Sequence, residues 1–527
     1  MMRTSRVAAV SAALLITGGL LAACGSDDDG SVGGADRELV LAVGGESAEG
    51  YDPTLGWGRY GSPLFQSTLL VRNADLSVGN DLATGYQVSK DGLTWTVDLR
   101  TDATFTDGTP VTAEDVVYTF STAAKSGGLT DVTALKSAEV VDEDTVALHL
   151  KQPQSTFINR LISLGIVPEA AHGEGYAAAP IGSGPFKLVH WERGQQLIVE
   201  RNEDYYGTAP SFDKVTFVFF DSEDAALAAA QAGEVDVVGV PSSLAGSTVQ
   251  GMSVQAITSV DNRGMSLPTV PAEGKKSPSG APIGNDVTSD VAVRRAMNIA
   301  VDREKLVDGI LEGYGTPAYG PADAAPWFAE ETVVDDADLD GAKKLLDEAG
   351  WKDGDGDGVR EKDGVKAEFN LLYPAGDTLR QGLALSLVDM VKPLGITITT
   401  AGRSWEEIEK AQHTDAVLFG WGSHDPTELY NLLHSSKAGV EMYNPGYYAN
   451  AEVDAELDAA QAARSQDEAI EHWQQAQRTD DVPWVWLVNL EHTYFVSDCL
   501  DIGTPFIEPH GHGWPITAGL ANWKRTC

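Results

Sequence analysis

Cysteine and positive charge are scarce in this sequence. The 527 residues include three cysteines, and 37 lysines and arginines stand against 78 aspartates and glutamates. A formal net charge of −41 repels nucleic acid and anionic membrane surfaces, so we expect neither as a partner of the folded chain. The composition is otherwise that of a globular protein, with 43% hydrophobic and 22% charged residues. The length predicts two or three domains.

Common hydrolase motifs are also missing. The sequence contains no G-x-S-x-G, no H-E-x-x-H and no cysteine–histidine pair with a thiol to spare. A secreted hydrolase needs a nucleophile with its base, or a metal held by several ligands. A glycosidase-like pair of carboxylates stays open, because acidic residues are abundant. We therefore predict a protein that is not an enzyme, and keep a secreted hydrolase as the less favoured alternative.

The longest apolar run lies at the start of the chain. Two arginines precede Val7 to Leu21, a stretch too short and too glycine-broken for a membrane span, which predicts a secretory signal peptide over residues 1–23. The run ends in LAAC, which resembles the lipobox of bacterial lipoproteins. We expect Cys24 to be lipidated, residues 24–36 to be a flexible tether, and the protein to be extracytoplasmic and anchored to the cell membrane. The alternative is a secreted protein with a chance cysteine.

Cys499 and Cys527 are the remaining cysteines. An even remainder in an oxidising compartment suggests a disulfide. It would close a loop of about 29 residues, for which the chain-entropy model gives ~3 kcal/mol. Two unpaired buried thiols are the alternative.

Strand-like and helix-like segments alternate over most of the chain. Strand patterns cover Glu38–Val43, Leu93–Leu99, Ala138–Leu150, Phe186–Trp191, Gln196–Arg201 and Asp415–Phe419. Thr112 with Asp115 resembles a capping box, and Asp290, Asp302 and Asp338 each stand where a helix begins. Alternation of this kind favours α/β layers over a sandwich or a helical array.

Five segments carry a family resemblance. They are LTWTVDLRTDATFTDGTPVTAEDVVYTF, GSGPFKLVHWERGQQLIVERNEDYYG, DVAVRRAMNIAVDREKLVDGILEGYGTPAYG, GAKKLLDEAGWKDGDGDGVREKDG and FGWGSHDP. In this order, behind a lipobox, they resemble the extracytoplasmic solute-binding proteins of ABC importers for peptides and nickel (bacterial solute-binding protein family 5). The resemblance covers nearly the whole mature chain.

The resemblance implies a fold and a division of the chain. The fold is α/β, two-lobed and periplasmic-binding-protein-like (a Venus flytrap), with an extra inserted domain. The first lobe would comprise residues 37–70, 181–262 and 490–527; the insert, residues 71–180; the second lobe, residues 263–489. These names are kept below.

The resemblance also implies a function. A solute, with peptide favoured, would be captured between the lobes and delivered to the permease subunits of the importer. A ligand that touches both lobes only when they close shifts the open–closed equilibrium toward the closed state. We expect a monomer that requires no cofactor. A lipoprotein that signals the presence of a solute to a partner protein would share this fold.

The segment Phe419–Ser436 is the main candidate for ligand contact. A strand end followed by aromatic and polar residues is where open α/β sheets place ligands, and Trp421, Ser423, His424, Asp425 and Tyr430 offer such groups. In peptide-binding relatives an Asp-Tyr pair just after the tryptophan supplies an aspartate to the peptide's α-amino group. That aspartate has no clear counterpart here. A structural turn around Asp425 is the alternative.

Several histidines permit a second type of cargo. His424, His434 and the pair His510 and His512 permit nickel or a metal–metallophore complex, because imidazole suits nickel. Lone histidines are more often surface or core residues.

The N-terminal segment YDPTLGWGRYGSPLFQ is a second candidate. Trp57, Arg59 and Tyr60 lie in a glycine-rich loop, and Arg59 could pair with a ligand carboxylate. A surface salt bridge or a contact between the lobes is the alternative. Arg263 and Arg403 are weaker candidates of the same kind.

An acidic loop resembles a calcium site. Asp353, Asp355 and Asp357 have the D-x-D-x-D-G spacing of an EF-hand loop, followed by the Val359 carbonyl and the Glu361 carboxylate at the seventh and ninth positions. The twelfth position is glycine, where an EF-hand has a bidentate glutamate. We expect weak, structural calcium binding or, alternatively, an acidic hairpin turn.

Overall fold

A computed structural model describes residues 37–61, 63–511 and 513–527. The predictions for the signal peptide, the tether, Cys24 and His512 lie outside the described residues. Residues 37–527 cluster as one unit. No helix of the described residues is both long and apolar enough to cross a bilayer.

The strands of the described residues follow in chain order. They are β1 (Glu38–Ala42), β2 (Leu70–Arg72), β3 (Val78–Asn80), β4 (Ala83–Val88), β5 (Thr94–Leu99), β6 (Leu135–Asp142), β7 (Thr145–Leu150), β8 (Phe186–Glu192), β9 (Gln196–Arg201), β10 (Lys214–Val218), β11 (Val237–Val240), β12 (Met252–Ser266), β13 (Gly315–Pro317), β14 (Glu361–Lys362), β15 (Val365–Lys366), β16 (Glu368–Pro374), β17 (Thr397–Arg403), β18 (Ala416–Trp421), β19 (Trp484–Ser497), β20 (Leu500–Asp501) and β21 (Lys524–Arg525).

The α-helices of the described residues are given in the same way. They are α1 (Ala113–Ser126), α2 (Ile158–Ser163), α3 (Glu223–Gln231), α4 (Ser242–Ala245), α5 (Val291–Ala300), α6 (Arg303–Ile310), α7 (Leu339–Glu348), α8 (Thr378–Val391), α9 (Trp405–Ala411), α10 (Thr427–Leu433), α11 (Ala451–Ala462) and α12 (Gln466–Gln477).

One large mixed sheet runs through both predicted lobes. Its order is β17-β16-β18-β12-β19-β11-β1-β10-β9-β8, and β13 pairs with β19. The antiparallel strands β12 and β19, of 15 and 14 residues, join the two halves. The sequence analysis did not predict these long strands. The predicted lobe boundaries fall inside them, where Asn262 pairs with Asn489 and the register of β12 is irregular.

Several local predictions are confirmed. Thr112 accepts from the backbone N–H of Asp115 and completes a capping box at the start of α1. β8 and β9 form the predicted antiparallel hairpin. Asp290, Asp302 and Asp338 accept backbone N–H groups at the starts of α5, α6 and α7.

The buried apolar residues form separate cores. In the insert, Trp95, Phe120 and Phe157 pack with the antiparallel sheet β4-β5-β7-β6 and α1. In the first lobe, Leu41, Tyr51, Phe65 and other residues pack between β1, β8 to β10 and the C-terminal segment. Separate clusters fill the second lobe. These cores agree with three packed regions, while the predicted domain boundaries themselves stay a prediction.

Cys499 and Cys527 lie at disulfide distance, with their Cα atoms 5.1 Å apart. The predicted pairing is therefore present. Beside it, Leu500 of β20 pairs with Arg525 of β21, and Arg525 donates a hydrogen bond to the carbonyl of Glu38 at 2.9 Å. The C-terminal segment is thereby fastened to the start of β1.

Candidate ligand-binding site

Three parallel strands of the second lobe end at one edge of the sheet. β16, β17 and β18 end at Pro374, Arg403 and Trp421, and the helices α8, α9 and α10 begin shortly after them. Ligands of open α/β sheets bind outside the carboxyl ends of such strands. The loop that follows Trp421 therefore lies where the sequence analysis expected ligand contact.

Trp421 forms an aromatic wall at this edge. Its ring centroid lies 6.0 Å from that of Phe419 and 6.0 Å from that of Tyr443. The indole Nε1 is shielded from solvent and has no hydrogen-bond partner among the described residues. A buried N–H normally finds an acceptor, so this donor is available to a ligand.

His424 is enclosed in the folded protein. Loss of solvation, reinforced by the charge of Arg72, lowers the pKa of the imidazole to about 3. The backbone of Ile507, from the C-terminal segment, contacts the ring. The imidazole is therefore neutral at pH 7, and its Nε2 atom is shielded from solvent without a hydrogen-bond partner among the described residues.

Ser423 and Asp425 bond to the protein. The Ser423 hydroxyl accepts from the backbone N–H of Asp425 at 3.0 Å. One carboxylate oxygen of Asp425 accepts from the backbone N–H of Thr427 at 2.9 Å, and the other pairs with Arg160 of the insert. These bonds agree with the alternative that Asp425 is a structural turn residue. They give no support to contact between Asp425 and a ligand.

The structure brings Tyr430 together with His434 and α11. The two rings stack with centroids 4.3 Å apart, and the Tyr430 hydroxyl donates to Asp458 at 3.2 Å. His434 Nε2 lies 3.3 Å from the same carboxylate. This pair is thus part of the α10–α11 contact, and ligand contact by Tyr430 stays a prediction.

A cavity of about 220 Å³ lies in the first lobe, beyond the carboxyl end of β1. Its walls are residues 45–49, residues 55–61 and residues 513–515. The predicted Trp57, Arg59 and Tyr60 all line it. The structure therefore unites these three residues, and adds Glu46 and Glu49, which the sequence analysis missed.

Trp57 fixes the shape of this cavity. Its Nε1 donates to the carbonyl of Pro63 at 2.6 Å, and its ring packs edge-on against Tyr51 and Trp514 with centroids 4.7 and 5.2 Å away. Its polar atom is satisfied by the protein. Trp57 therefore offers a ligand an apolar surface rather than a donor.

Arg59 lies at the cavity wall without an ion pair to any carboxylate of the described residues. Its guanidinium lies over the ring of Tyr60, 4.5 Å from the centroid, and donates to the Tyr60 hydroxyl at 3.4 Å. No ion pair joins it to a carboxylate of the described residues. The protein-paired alternative is thus not seen, and a ligand carboxylate is a suitable partner.

Two guanidinium groups converge beside Gly420. The position that a Cβ atom would occupy there lies 2.5 Å from Arg380 Nη2 and 2.6 Å from Arg263 Nη1. Arg263 pairs with Asp261 and Arg380 with Asp377. Sequence reasoning named Arg263 but missed Arg380, because the i,i+3 spacing from Asp377 indicates only a helix-surface ion pair.

Arg403, the third arginine of this edge, is exposed at the end of β17, where it donates to the carbonyl of Gly402 at 3.3 Å. Among the described residues, no carboxylate forms an ion pair with this guanidinium. Its predicted role stays open to test.

A buried group of charged residues joins β12, β19 and the C-terminal segment. His492 lies between two carboxylates, 2.6 Å from Glu508 and 3.3 Å from Asp261. Tyr494 also donates to Glu508, at 2.8 Å, and His510 pairs with Asp261. Burial disfavours the imidazolium, but the hydrogen bonds to both carboxylates raise the pKa of His492 to about 9. His510 is thus committed to a protein carboxylate.

Glu428 lies beneath the loop that follows Trp421. Its carboxyl accepts from the backbone N–H of Gly422 at 3.1 Å. Loss of solvation, with the charges of Asp261 and Asp425 nearby, raises its pKa to about 8. The carboxyl is therefore protonated at pH 7. No sequence pattern distinguishes it from the many exposed glutamates of the chain.

The acidic loop brings together part of the predicted calcium set. Asp353, Asp355 and Glu361 place oxygens within 4.8 Å of one another, but Asp357 pairs with Lys366. Val359 donates its N–H to Asp357 at 2.9 Å. The alternative, a hairpin, is present as β14 and β15. Calcium binding stays a prediction.

Comparison with known proteins places the chain in a family. The pattern of the bacterial extracellular solute-binding proteins, family 5 Middle, matches residues 77–440. Protein XP55 of Streptomyces lividans is 35% identical over 497 residues, covering 90% of this chain and 88% of that protein. The oligopeptide-binding protein AppA of Bacillus subtilis is 28% identical, with 80% of each chain covered.

Solved structures of other proteins show the same fold. NikZ from Campylobacter jejuni in complex with Ni(L-His) aligns with a TM-score of 0.77 at 23% identity, covering 93% of this chain and 100% of the other. AppA in complex with a nonapeptide aligns with a TM-score of 0.70 at 25% identity, covering 93% and 99%. The fold is the two-lobe, mixed α/β fold of periplasmic binding proteins that the sequence predicted. The chain belongs to the bacterial extracellular solute-binding proteins of family 5.

Proposed function

We propose that this chain is the solute-binding component of an ABC importer and that its cargo is a small peptide. One observation carries the choice of cargo. A cavity of about 220 Å³ at the carboxyl end of β1 combines aromatic walls, two carboxylates and the guanidinium of Arg59, which forms no ion pair with the described residues. Family membership supports the transport role.

The charges at this cavity suit a zwitterion. Arg59 can hold a peptide carboxylate in a charge-assisted pair. Glu49 is exposed, and Glu46 uses one oxygen to accept from Trp191 at 2.8 Å, which leaves its other oxygen for a peptide ammonium group. Trp57 and Trp514 supply apolar surface for a side chain.

The size of the cavity favours a short peptide. Sites for drug-sized ligands typically span about 300–1,000 Å³. At about 220 Å³ the cavity is smaller, which suits a dipeptide or tripeptide better than a long one. The fold similarity to AppA, solved with a nonapeptide, makes the length of the cargo a point to test.

Nickel, alone or in a chelate, is the alternative cargo. The fold similarity to NikZ, solved with Ni(L-His), keeps it under consideration. Among the described residues, however, the one cluster with three metal-ligating groups is Asp353, Asp355 and Glu361, which contains no histidine. A chelate with free carboxylates would use Arg59 in the same way as a peptide.

Calorimetry on residues 37–527, dialysed against a chelator, tests the cargo. We expect dialanine or trialanine to bind, octaalanine to bind more weakly, and nickel chloride alone not to bind. Arg59→Met should weaken peptide binding roughly tenfold to a hundredfold, the loss of a charge-assisted hydrogen bond worth about 1.5–3 kcal/mol.

A matched control is Arg464→Met. Arg464 forms an exposed ion pair with Glu468 within the second lobe, so this variant should bind peptide normally. Binding of Ni(L-His) without binding of any alanine peptide would overturn the peptide proposal. Equal effects of both variants would overturn the role of Arg59.

We further propose that the cargo leaves the protein chemically unchanged and that Cys24 anchors the chain. Mass spectrometry should recover intact peptide after prolonged incubation, and any new product would contradict a pure binding role. In cells, Cys24→Ala should move the protein from the membrane fraction to the medium or periplasm. The permease subunits of the importer are the partner that we expect to receive the closed complex.

A further inference from the structure

The insert is fastened to the first lobe by many bonds. Tyr51 donates its N–H to the carbonyl of Ala177 at 2.8 Å, and Leu129 donates to the carbonyl of Leu55 at 3.0 Å. Asp52 and His172 form a buried pair at 2.9 Å. The insert must therefore move with the first lobe when the lobes separate.

A short segment of the insert also contacts the second lobe. The Ser155 hydroxyl donates to the carbonyl of Ala460 at 2.8 Å, and the Thr156 hydroxyl donates to Gln461 Oε1 at 3.2 Å. The side chain of Thr427 donates to the Thr156 hydroxyl at 2.9 Å. Both residues of the insert are almost fully buried, at 1% and 0% exposure.

An ion pair completes this contact. Arg160 of α2 pairs with Asp425, and their side chains are only 17% and 14% exposed. Asp425 belongs to the loop that follows Trp421 and also bonds the N–H of Thr427 at the start of α10. Arg160 therefore reaches from the insert into the loop that carries the candidate ligand residues.

These bonds join bodies whose chain crossings lie in the sheet between the lobes, and they add to the contact that His510 of the C-terminal segment makes with the carbonyl of Gly422 at 2.9 Å. The chain passes from the first lobe to the second within β12 and returns within β19. Opening of the lobes about these strands would break contacts between the insert and the second lobe. The contacts exist only while the insert and the second lobe lie together, as they do in this structure, so they would stabilise this state relative to an open one.

We propose that Ser155–Arg160 of the insert is a closure latch and that Arg160 is a positioning residue for the ligand loop. The latch acts on the open–closed equilibrium, and it holds Trp421 and its neighbours at the closed site through Asp425. The inserted domain thus takes part in capture. This proposal depends on the two-lobe fold and is independent of which cargo binds.

The segment is rigid enough for this role. Phe157 and Ile158 lie in the core of the insert, so the residues that carry the latch bonds are held by packing on their own side. A latch on a packed element loses little conformational freedom when it closes. The bonds therefore contribute to the closed state rather than to ordering a loose loop.

Interlobe distances test the latch. Spin labels can be placed on residues 37–527 through Val189→Cys in the first lobe and Leu385→Cys in the second, both about half exposed at 51% and 50%. The native pair Cys499 and Cys527 is joined and does not take label. Distances are measured by pulsed electron paramagnetic resonance without ligand and with trialanine.

Arg160→Gln and Asp425→Asn should each lower the ratio of closed to open molecules roughly tenfold, which corresponds to about 1.4 kcal/mol, because each leaves the other member of a partly buried ion pair without its partner. The double variant should be no more open than either single variant, since both remove one pair. Arg160→Lys should recover part of the closed population. Arg464→Gln, which breaks an exposed pair within the second lobe, should change nothing.

Two outcomes would overturn the latch. One is a distance distribution that is the same in the wild type, Arg160→Gln and the double variant, with or without trialanine. The other is strict additivity of the two single variants, which would mean that Asp425 acts on the ligand and not on Arg160. Failure of trialanine to bind, with the distances still changed by Arg160→Gln, would overturn the peptide proposal and leave the latch supported.

Discussion

At the scale of single residues, environment outweighs residue type. The chain has 78 acidic residues, but Glu428 differs from most of them because the fold removes its solvation and places Asp261 and Asp425 nearby. His492, in contrast, is held as a cation by two carboxylates. Arg59 is the reverse case, a cation that forms no ion pair with a carboxylate of the described residues. Each of these properties is set by neighbours that are distant in sequence.

Glu428 makes stability depend on pH. Its pKa is about 8 in the folded protein and ordinarily 4.5, so between these values the folded state keeps a proton that the unfolded chain has released. The free energy of unfolding should therefore fall as the pH rises from 4.5 to 8, and this contribution should be constant above 8. Glu428→Gln should reduce that fall by up to about 5 kcal/mol, because each unit of pKa shift corresponds to about 1.4 kcal/mol.

Urea unfolding at pH 5, 7 and 9 checks this prediction. Glu452→Gln, an exposed glutamate in the first turn of α11, is the matched control and should leave the pH dependence unchanged. Parallel pH profiles for the wild type and Glu428→Gln would show that the carboxyl is ionised at neutral pH, contrary to its position here.

At the scale of elements, local sequence signals work well where they act over a few residues. The capping box of α1, the hairpin of β8 and β9, and the aspartate caps of α5 to α7 all follow from neighbouring residues. Local sequence signals do not identify a strand whose position depends on the strands with which it pairs. β12 and β19 are central strands whose buried portions carry polar residues such as Asn262 and Asn489, and no alternating pattern marks them.

The turn after β18 is an element whose backbone is tightly specified. Gly422 has φ +146°, and a Cβ atom there would lie 2.4 Å from the carbonyl oxygen of Val260. Gly422→Ala should therefore displace the loop from β12, destabilise the protein by about 1–3 kcal/mol and weaken ligand binding. Calorimetry and urea unfolding of the same variant measure both effects.

Gly246→Ala is the control for this substitution. Gly246 ends α4 with φ −73°, and a Cβ atom there would meet nothing within 4 Å. It should be neutral or slightly stabilising. A Gly422→Ala variant as stable as Gly246→Ala would mean that the loop has more room than this geometry allows.

At the scale of the whole molecule, the two properties to consider are the net charge and the closure of the lobes. A formal charge of −41 makes the folded chain repel itself, and this repulsion is long-ranged at low ionic strength. Closure brings the insert and the second lobe together against that repulsion. The latch and a bound ligand offset it locally.

Salt should therefore stabilise the protein. Raising potassium chloride from 10 to 300 mM at pH 7.5 should raise the unfolding temperature by roughly 1–3 °C, because screening weakens the self-repulsion of the compact state. Scanning calorimetry measures the shift. Near pH 4.4, the pI of the sequence, the net charge is close to zero and the shift should vanish. A salt effect of equal size at both pH values would contradict this account.

The sequence by itself determined the family, the α/β class and many helix and strand positions, because family segments and capping signals act through short stretches of chain. It also named residues at both candidate positions, Trp421 at the sheet edge of the second lobe and Arg59 at the cavity of the first.

Only the tertiary structure decided which of those residues face a cavity and which bind the protein. Asp425 pairs with Arg160, 265 residues away, and His424 is enclosed by the C-terminal segment. Arg380, Glu46 and Glu428 gave no signal in sequence. The reason is physical: a side chain's solvation and partners depend on contacts between distant segments, and those contacts exist only once the large sheet has been assembled.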